Sequence, residues 1–180
     1  MKKLLTILLL SSFCSFAIYA DQQTVNKQVD QLADQVENNV IKWRRYFHQH
    51  PELSNREFET AKTIAKYLKS LGLAVQTGVA KTGVVAILDS GKPGPVVALR
   101  ADIDALPVTE RVDLPFASKV KSTYNGQNVG VMHACGHDSH IAMLMGAAKI
   151  LTSMKEQLRG KVKFIFQPAE EGAPAGETGG

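Results

Sequence analysis

The sequence has little cysteine, few aromatic residues and no concentration of charge of one sign. Two of its 180 residues are cysteines, and aromatic residues make up 7%. The 21 Lys and Arg outnumber the 17 Asp and Glu, but the basic residues are scattered along the chain. Nucleic-acid binding requires clustered Lys and Arg, so the composition argues against that partner. A hydrophobic content of 44% predicts a globular protein, not a disordered or collagen-like one.

A largely apolar run over residues 4–10 lies at the N-terminus, directly after two lysines. This order is typical of a bacterial secretory signal peptide, and the run is too short and too interrupted for a comfortable membrane span. We expect residues 1–20 to be a signal peptide cleaved after Ala20, and residues 21–180 to be secreted or periplasmic without stable membrane association. A lipid anchor at Cys14 and a retained membrane anchor are the alternatives.

Cleavage at that point would leave a single cysteine, Cys135. One thiol cannot form an intramolecular disulfide, and a lone cysteine in an oxidising compartment is a liability unless something protects it. Coordination of a metal as a thiolate would protect Cys135. Burial as an inert residue is the alternative explanation.

The remainder of the chain alternates helical and strand patterns. Apolar residues spaced three and four apart predict a helix over residues 25–47, which ends before Pro51. Residues 54–57 have the pattern of a capping box that opens a second helix. A third apolar face runs over residues 141–158, and Gly160 is expected to close that helix.

Three short segments predict strands. Residues 84–88 and 96–99 are rich in β-branched and apolar residues, and the Gly/Pro-containing spacer between them suggests that they are adjacent strands. Residues 161–167 alternate polar and apolar side chains, as in a half-buried strand. Helices alternating with strands indicate an α/β layered fold.

Two aspartates, Asp102 and Asp104, follow the apolar strand over residues 96–99. Ligand sites in α/β sheets gather at the carboxyl ends of strands. An extended backbone would point both carboxylates to the same side, where they could bind a metal or orient a ligand histidine. A turn capped by one aspartate is the alternative.

Three histidines and a cysteine fall within the eight residues 133–140, in a chain with five histidines. Cys135 and His137 would share a face in an extended segment, and a thiolate with an imidazole is a suitable pair for zinc. Exposed histidines beside a structural cysteine are the alternative. The segment has no C-x-x-C pair, which argues against a zinc finger.

Two adjacent carboxylates, Glu170 and Glu171, follow the strand predicted over residues 161–167. Adjacent carboxylates repel each other unless a cation or a proton relieves the repulsion. One could bind a metal while the other acts as a general base. A solvated acidic turn is the alternative interpretation.

Taken together, the three clusters resemble the M20 metallopeptidase family, specifically its amidohydrolase branch, which includes hippurate hydrolase, N-acyl-amino-acid amidohydrolases and auxin-conjugate hydrolases. The resemblance begins near Trp43, continues through residues 82–84 and 100–107, and covers residues 133–140 and 166–172. It implies a zinc-peptidase-like catalytic domain in which helices pack on a central mixed sheet.

The resemblance also implies roles for individual residues. Cys135, His137 and Glu171 would bind one or two divalent ions (Zn, Mn, Co or Ni), and Glu170 would be the general base that activates water. Asp102 corresponds to an aspartate that orients the site. The implied substrate is a small N-acyl amino acid, and full-length relatives are expected to be homo-oligomeric.

Members of this family continue well beyond residue 180, and the further part carries two more histidine ligands, substrate contacts and a lid or dimerisation domain. We therefore expect a truncated catalytic domain that binds metal weakly and hydrolyses little substrate. The alternatives are a non-catalytic fragment or metal-binding remnant, and an M20-type carboxypeptidase.

Overall fold

Helix α1 (Lys2–Gln49) opens the chain. The computed structural model describes residues 2–179, and gives side chains for residues 22–179. The helix ends just before Pro51, as predicted, because the residue preceding a proline avoids the helical region. The side chains of residues 1–20 lie outside the part that the structure describes, so the signal peptide predicted there stays a prediction.

The chain divides into two units, Met1–Val36 and Glu37–Gly180. The first unit consists of the N-terminal part of α1. The second unit contains the remainder of α1 and all other helices and strands. In the part of the chain that the structure describes, no helix is both long enough and apolar enough to span a bilayer.

A mixed four-stranded sheet forms the centre of the second unit. Its strands lie in the order β1 (Ala74–Val79), β2 (Gly83–Asp89), β6 (Lys161–Gln167) and β3 (Val96–Asp102). Strand β2 is antiparallel to β1 and to β6, whereas β3 is parallel to β6. Strands β4 and β5 form a separate antiparallel hairpin. The elements are α2 (Phe58–Ser70), β1 (Ala74–Val79), β2 (Gly83–Asp89), β3 (Val96–Asp102), β4 (Lys121–Tyr124), β5 (Gln127–Gly130), α3 (His137–Ser153), a 3₁₀ turn (Lys155–Gln157) and β6 (Lys161–Gln167). The predicted α/β fold, with helices on a mixed sheet, is confirmed.

One apolar core joins the sheet to both helices. Phe164 and Phe166 project from β6 into this core and are almost fully buried. Ile64 from α2 and Ile141 from α3 pack into the same cluster, as does Phe47 from the end of α1. The alternation predicted for residues 161–167 therefore gives the correct buried face, and this packing fixes the ends of β6 and β3 relative to α3.

The prediction that β2 and β3 are adjacent is wrong, because β6 lies between them. The spacer after β2 passes over the start of β6, where Lys161 N donates to Pro95 O at 3.0 Å. Gly160 permits this crossing: its φ is 81°, and an added Cβ would lie 2.0 Å from Pro95 O. Gly160 therefore does not close α3, which already ends at Ser153.

The predicted capping box at residues 54–57 is also wrong. Helix α2 begins at Phe58, and Glu57 precedes it without a capping hydrogen bond from its side chain. The cap comes instead from Glu52, whose carboxylate accepts hydrogen bonds from the backbone N–H groups of Glu59 at 3.2 Å and Thr60 at 2.8 Å. Satisfying free N–H groups with a carboxylate is the usual function of a cap, here performed from outside the helix.

We expect Glu52→Ala to lower the free energy of unfolding by about 1 kcal/mol, the usual cost of losing a helix cap. Urea denaturation measures this difference. Glu59→Ala is the matched control, because Glu59 pairs only with exposed Lys62 on the same helix and should cost at most about 0.5 kcal/mol. Equal losses in the two variants would argue against capping by Glu52.

Candidate metal centre

Three residues from two segments of the chain converge on one point. One potential ligand atom from each of Cys135, His137 and Glu171 lies within 4.8 Å of the other two. His137 is buried, Glu171 is partly buried and Cys135 is exposed, so the group lies at the surface with its imidazole held from below. The structure thus brings together the three side chains that the sequence predicts as ligands.

Strand ends and one glycine create this convergence. β3 and β6 are parallel neighbours, so the segments that follow them leave the same edge of the sheet with Asp104 and the pair Glu170–Glu171. Gly136 has a φ of 96° and turns the chain between Cys135 and His137, the first residue of α3. A left-handed conformation of this kind is inexpensive for glycine.

Asp104 supports the site from below. His137 Nδ1 lies 2.9 Å from the backbone oxygen of Asp104 and 3.3 Å from its Oδ1, which leaves Nε2 to face the group. Oδ2 of Asp104 accepts hydrogen bonds from Ser54 Oγ at 2.7 Å and from the backbone N–H of Glu171 at 2.9 Å. Asp104 therefore orients one candidate ligand, His137, mainly through its backbone oxygen, and its carboxylate fixes the backbone of another, Glu171.

The electrostatics of this pair favour an ionised carboxylate. Burial alone would raise the pKa of Asp104, but hydrogen bonds from His137, Ser54 and Glu171 outweigh it and lower that pKa. Burial likewise opposes the charged form of His137, yet its bonds to Asp104 raise the pKa of the imidazole to about 9.

Asp102 lies beside Arg100 and close to His137 and His140. Its Oδ1 accepts a hydrogen bond from Arg100 Nε at 2.8 Å, and its carboxylate also forms a second possible ligand group with His137 and exposed His140. The hydrogen bond to His137 Nδ1 belongs to Asp104, not to Asp102. Asp104, two residues further along the extended segment that follows β3, makes the contact with His137 Nδ1, and the orienting role that the resemblance implies for Asp102 stays a prediction.

The residues present fit a divalent cation. Oε1 of Glu171 is buried and has no hydrogen-bond partner among the described residues, which suits an atom reserved for a cation. A hydrogen bond to the Glu171 carboxylate raises the pKa of the Cys135 thiol, so coordination through sulfur requires that the thiol give up its proton to bind the cation. Thiolate, imidazole and carboxylate together match the ligand preferences of zinc and neighbouring transition metals.

Glu170 lies at the open side of the group. Its side chain is 42% exposed, and its Oε2 lies 3.7 Å from His137 Nε2, the same distance as Glu171 Oε1. The two neighbouring carboxylates therefore both reach the imidazole, one partly buried and one open to solvent. This arrangement suits one carboxylate that binds a cation and one that exchanges protons with water.

A second buried carboxylate, Glu57, holds the backbone that precedes this pair. It is fully buried, and it accepts hydrogen bonds from the backbone N–H of Ala169 at 2.9 Å and from Thr82 Oγ1 at 2.6 Å. Burial raises the pKa of Glu57, although these two hydrogen bonds counteract part of the shift. The sequence analysis did not find this role, because nothing within residues 54–57 indicates a partner more than a hundred residues away.

The raised pKa of Glu57 predicts a specific pH dependence. The stability that this group contributes is fully present below its unfolded pKa and is lost as pH rises through its folded pKa. Glu57→Gln mimics the protonated form at every pH. We therefore expect the free energy of unfolding of Glu57→Gln, minus that of the wild type, to increase between pH 4 and pH 8 in urea titrations.

Glu59→Gln is the control for this measurement, because Glu59 lies two residues after Glu57, in the first turn of α2, and is exposed to solvent. Its difference from the wild type should stay nearly constant over the same pH range. A flat difference for Glu57→Gln as well would show that burial of Glu57 does not couple to pH.

Behind α3, a further polar network was missed by sequence reasoning. Oδ2 of Asp138 lies 2.8 Å from His48 Nδ1 and 2.9 Å from Arg44 Nε, and His48 Nε2 lies 2.8 Å from Glu110 Oε2.

His133, the first histidine of the cluster, is buried, and neither ring nitrogen has a partner in the described part of the chain. Burial lowers the pKa of His133 to about 4, so its imidazole is neutral near pH 7. His133 is also a member of neither possible ligand group among the described residues.

Comparison with known proteins identifies relatives for this geometry. Over 150 residues the chain is 47% identical to an N-acyl-L-amino acid amidohydrolase of Geobacillus stearothermophilus, which covers 83% of the chain and 38% of the relative. It is 50% identical over 138 residues to thermostable carboxypeptidase 1 of Saccharolobus solfataricus, covering 76% of the chain and 33% of that protein. The chain thus spans little more than a third of the length of these relatives.

A solved structure has a similar fold. A crystal structure of the Bacillus subtilis protein YXEP, described as a dinuclear metal-binding peptidase of the M20 family, superposes with a TM-score of 0.68 at 46% identity. The match covers 77% of this chain and 36% of that one. The sequence model of peptidase family M20/M25/M40 matches residues 98–180, which include all three clusters. The chain therefore belongs to the M20 peptidase family.

Proposed function

We propose that this chain is the metal-binding part of an amidohydrolase that cleaves the amide bond of N-acyl amino acids. The observation that carries the proposal is the convergence of Cys135, His137 and Glu171, whose ligand atoms lie within 4.8 Å of one another. The 47% identity to an N-acyl-L-amino acid amidohydrolase supports the substrate class. Because the chain spans about 38% of that relative, the activity is proposed for the whole protein.

Each residue has a defined task in this proposal. Cys135, His137 through Nε2, and Glu171 would hold a divalent ion of Zn, Mn, Co or Ni. When bound, such an ion supplies Lewis acidity, which lowers the pKa of water and polarises an amide carbonyl. Glu170 takes the proton from the attacking water and delivers it to the leaving amine, which releases a carboxylic acid and a free amino acid. Asp104 keeps His137 in the tautomer that presents Nε2.

A carboxypeptidase acting on peptides is the second candidate. It is favoured by the 50% identity to thermostable carboxypeptidase 1. Both reactions hydrolyse an amide next to an amino acid, so the metal centre serves either. The substrate assay must therefore include both classes.

The site of action is proposed from the sequence pattern. Residues 1–20 have the order of a secretory signal peptide, so we propose that the protein acts outside the cytoplasm, secreted or periplasmic. Sequencing the N-terminus of the protein purified from the periplasm or medium tests this proposal. A protein that retains residues 1–20 would contradict cleavage after Ala20.

The experiment that tests the function measures hydrolysis together with metal content. Hippurate, N-acetyl amino acids and short peptides are each incubated with the 180-residue chain, and with the product of its whole reading frame, in Zn²⁺, Mn²⁺ or Co²⁺. We expect metal-dependent release of amino acids from N-acyl substrates by the whole product, and little release by the 180-residue chain. Glu170→Gln should keep its metal and lose turnover.

Three outcomes would contradict the proposal. The first is a whole product that binds metal but hydrolyses none of the substrates. The second is a Glu170→Gln variant that keeps full turnover, which would remove Glu170 as the base. The third is faster release from peptides than from N-acyl amino acids, which would favour the carboxypeptidase.

A further inference from the structure

The pair Glu170–Glu171 lies on a segment without regular secondary structure, residues 168–179, which we name the carboxylate loop. No repeating backbone hydrogen bonds hold such a segment, so its shape depends on individual contacts. Its backbone takes left-handed conformations at Ala169, with a φ of 50°, and at Gly172 and Gly176. The position of the candidate ligand Glu171 is therefore set by whatever anchors this loop.

One anchor lies at each end of the carboxylate loop. At its start, Glu57 accepts the N–H of Ala169, and Asp104 accepts the N–H of Glu171. At its far end, the carboxylate of Glu177 is held by side chains from two other segments. Between these ends, Tyr124 Oη donates to Gly172 O at 3.3 Å, and the N–H of Ala175 donates to Asn125 Oδ1 at 2.9 Å. The loop is therefore held beside the metal centre at one end, by the β4–β5 hairpin in its middle, and by Glu177 at its far end.

Glu177 is surrounded by donors. Arg56 donates to both carboxylate oxygens, from Nη1 to Oε2 at 3.1 Å and from Nη2 to Oε1 at 2.5 Å. Lys81 Nζ lies 2.6 Å from Oε2, and Asn55 Nδ2 donates to the same oxygen at 3.1 Å. Asn55 Nδ2 also donates to the backbone oxygen of Thr178 at 3.0 Å. Two cations and one buried amide thus converge on a single carboxylate.

The donors are themselves fixed. Asn55, the preceding Ser54 and the nearby Glu57 are all buried, and each of them contacts Asp104 or the carboxylate loop. Lys81 lies in the tight turn between β1 and β2, where its φ is 82°. The hydrogen bond from Arg56 and the nearby Lys81 lower the pKa of Glu177 to about 2, so the carboxylate is charged throughout the working pH range.

We infer that Glu177 is a positioning residue, whose ion pairs with Arg56 and Lys81 hold the carboxylate loop so that Glu171 meets Cys135 and His137. This inference rests on the proposed metal centre and goes beyond it, since Glu177 touches none of the three candidate ligands. Exposed ion pairs contribute little to overall stability. Loss of the anchor should therefore weaken metal binding while leaving the fold intact.

The test compares zinc affinity in the 180-residue chain and in Glu177→Gln. Glutamine keeps the length of the side chain and removes its charge. We expect the Kd for Zn²⁺, measured by competition with a chromophoric chelator, to rise roughly threefold to tenfold. The Co²⁺ absorption spectrum should keep the same bands, because the three ligands are unchanged. Raising the salt concentration should narrow the difference between the two proteins.

Asp89→Asn is the matched control. It removes an exposed ion pair of similar length, 2.7 Å from Asp89 Oδ2 to Lys161 Nζ. This pair lies at the start of β6, whereas the metal centre lies beyond the end of that strand. We expect its Kd to stay within about twofold of the wild type. Lys81→Gln is the second variant if Glu177→Gln does not fold; it removes one of the two cations and should raise the Kd in the same direction.

The outcomes separate this inference from the proposed function. Failure of the unmodified chain to bind Zn²⁺, or binding that survives Cys135→Ser, would overturn the metal centre itself. Binding through Cys135 with an unchanged Kd in Glu177→Gln and Lys81→Gln would overturn only the positioning role. An equal rise in Asp89→Asn would show a general effect of surface charge and would also overturn it.

Discussion

Cys135→Ser is expected to weaken zinc binding to this chain by at least about a hundredfold, because changes behind a ligand already cost ten- to a hundredfold and this change removes a ligand. The hydroxyl of serine is not ionised near pH 7 and is a poor ligand for zinc. The imidazole of His137 and the carboxylate of Glu171 would remain, and two ligands do not hold a zinc ion firmly. Chelator competition gives the affinity, and the thiolate-to-cobalt absorption of the Co²⁺ form reports the sulfur directly.

Glu171→Gln should weaken binding in the same direction, since the amide oxygen carries no charge to offset that of the cation. Ser139→Ala is the control: Ser139 lies close to His137 in the chain but belongs to neither possible ligand group. It should bind zinc as the wild type does. Unchanged metal stoichiometry in both Cys135→Ser and Glu171→Gln would remove these two residues from the metal centre.

The ligand set tested by these variants came from the resemblance to the M20 family, because the pattern of each cluster by itself left a non-metal alternative open. The strand and helix patterns still agree with the convergence. Each cluster lies directly after a strand or at the start of a helix, and these positions meet at one edge of an α/β sheet. The alternation over residues 161–167 likewise identified the buried face of β6, because Phe164 and Phe166 face the core. Local patterns succeed where a residue's surroundings follow from its own element.

The remaining features depend on contacts between distant segments. The pattern of residues 54–57 fits a capping box, yet Ser54 donates to Asp104 and Glu57 accepts from Ala169. The prediction that β2 and β3 are adjacent was wrong for the same reason, since β6 comes from the last part of the chain and lies between β2 and β3. One local signal was present and unused: Asn125 and Gly126, both with positive φ, turn the hairpin of β4 and β5.

Asp104→Asn is expected to weaken zinc binding about tenfold to a hundredfold, the usual effect of changing the group that orients a ligand histidine. The asparagine oxygen can replace Oδ2 and keep the bonds from Ser54 and Glu171. Its amide nitrogen then replaces Oδ1 and faces His137 Nδ1, which lies 3.3 Å away in the native protein. Donor would meet donor, and the negative charge behind the imidazole would be lost.

Asp102→Asn is the matched comparison, since the two aspartates are neighbours in sequence and receive the same change. The native carboxylate of Asp102 is 18% exposed and its ion pair with Arg100 lies at the surface, so the effect on stability should be at most about 0.5 kcal/mol. Asp104→Asn should also unfold at lower urea concentration, because the carboxylate of Asp104 is buried and its partners are desolvated. A larger loss of zinc affinity in Asp102→Asn than in Asp104→Asn would assign the orienting role to Asp102. It would also mean that the negative charge of the Asp104 carboxylate, 3.3 Å from His137 Nδ1, does not govern the zinc affinity of the site.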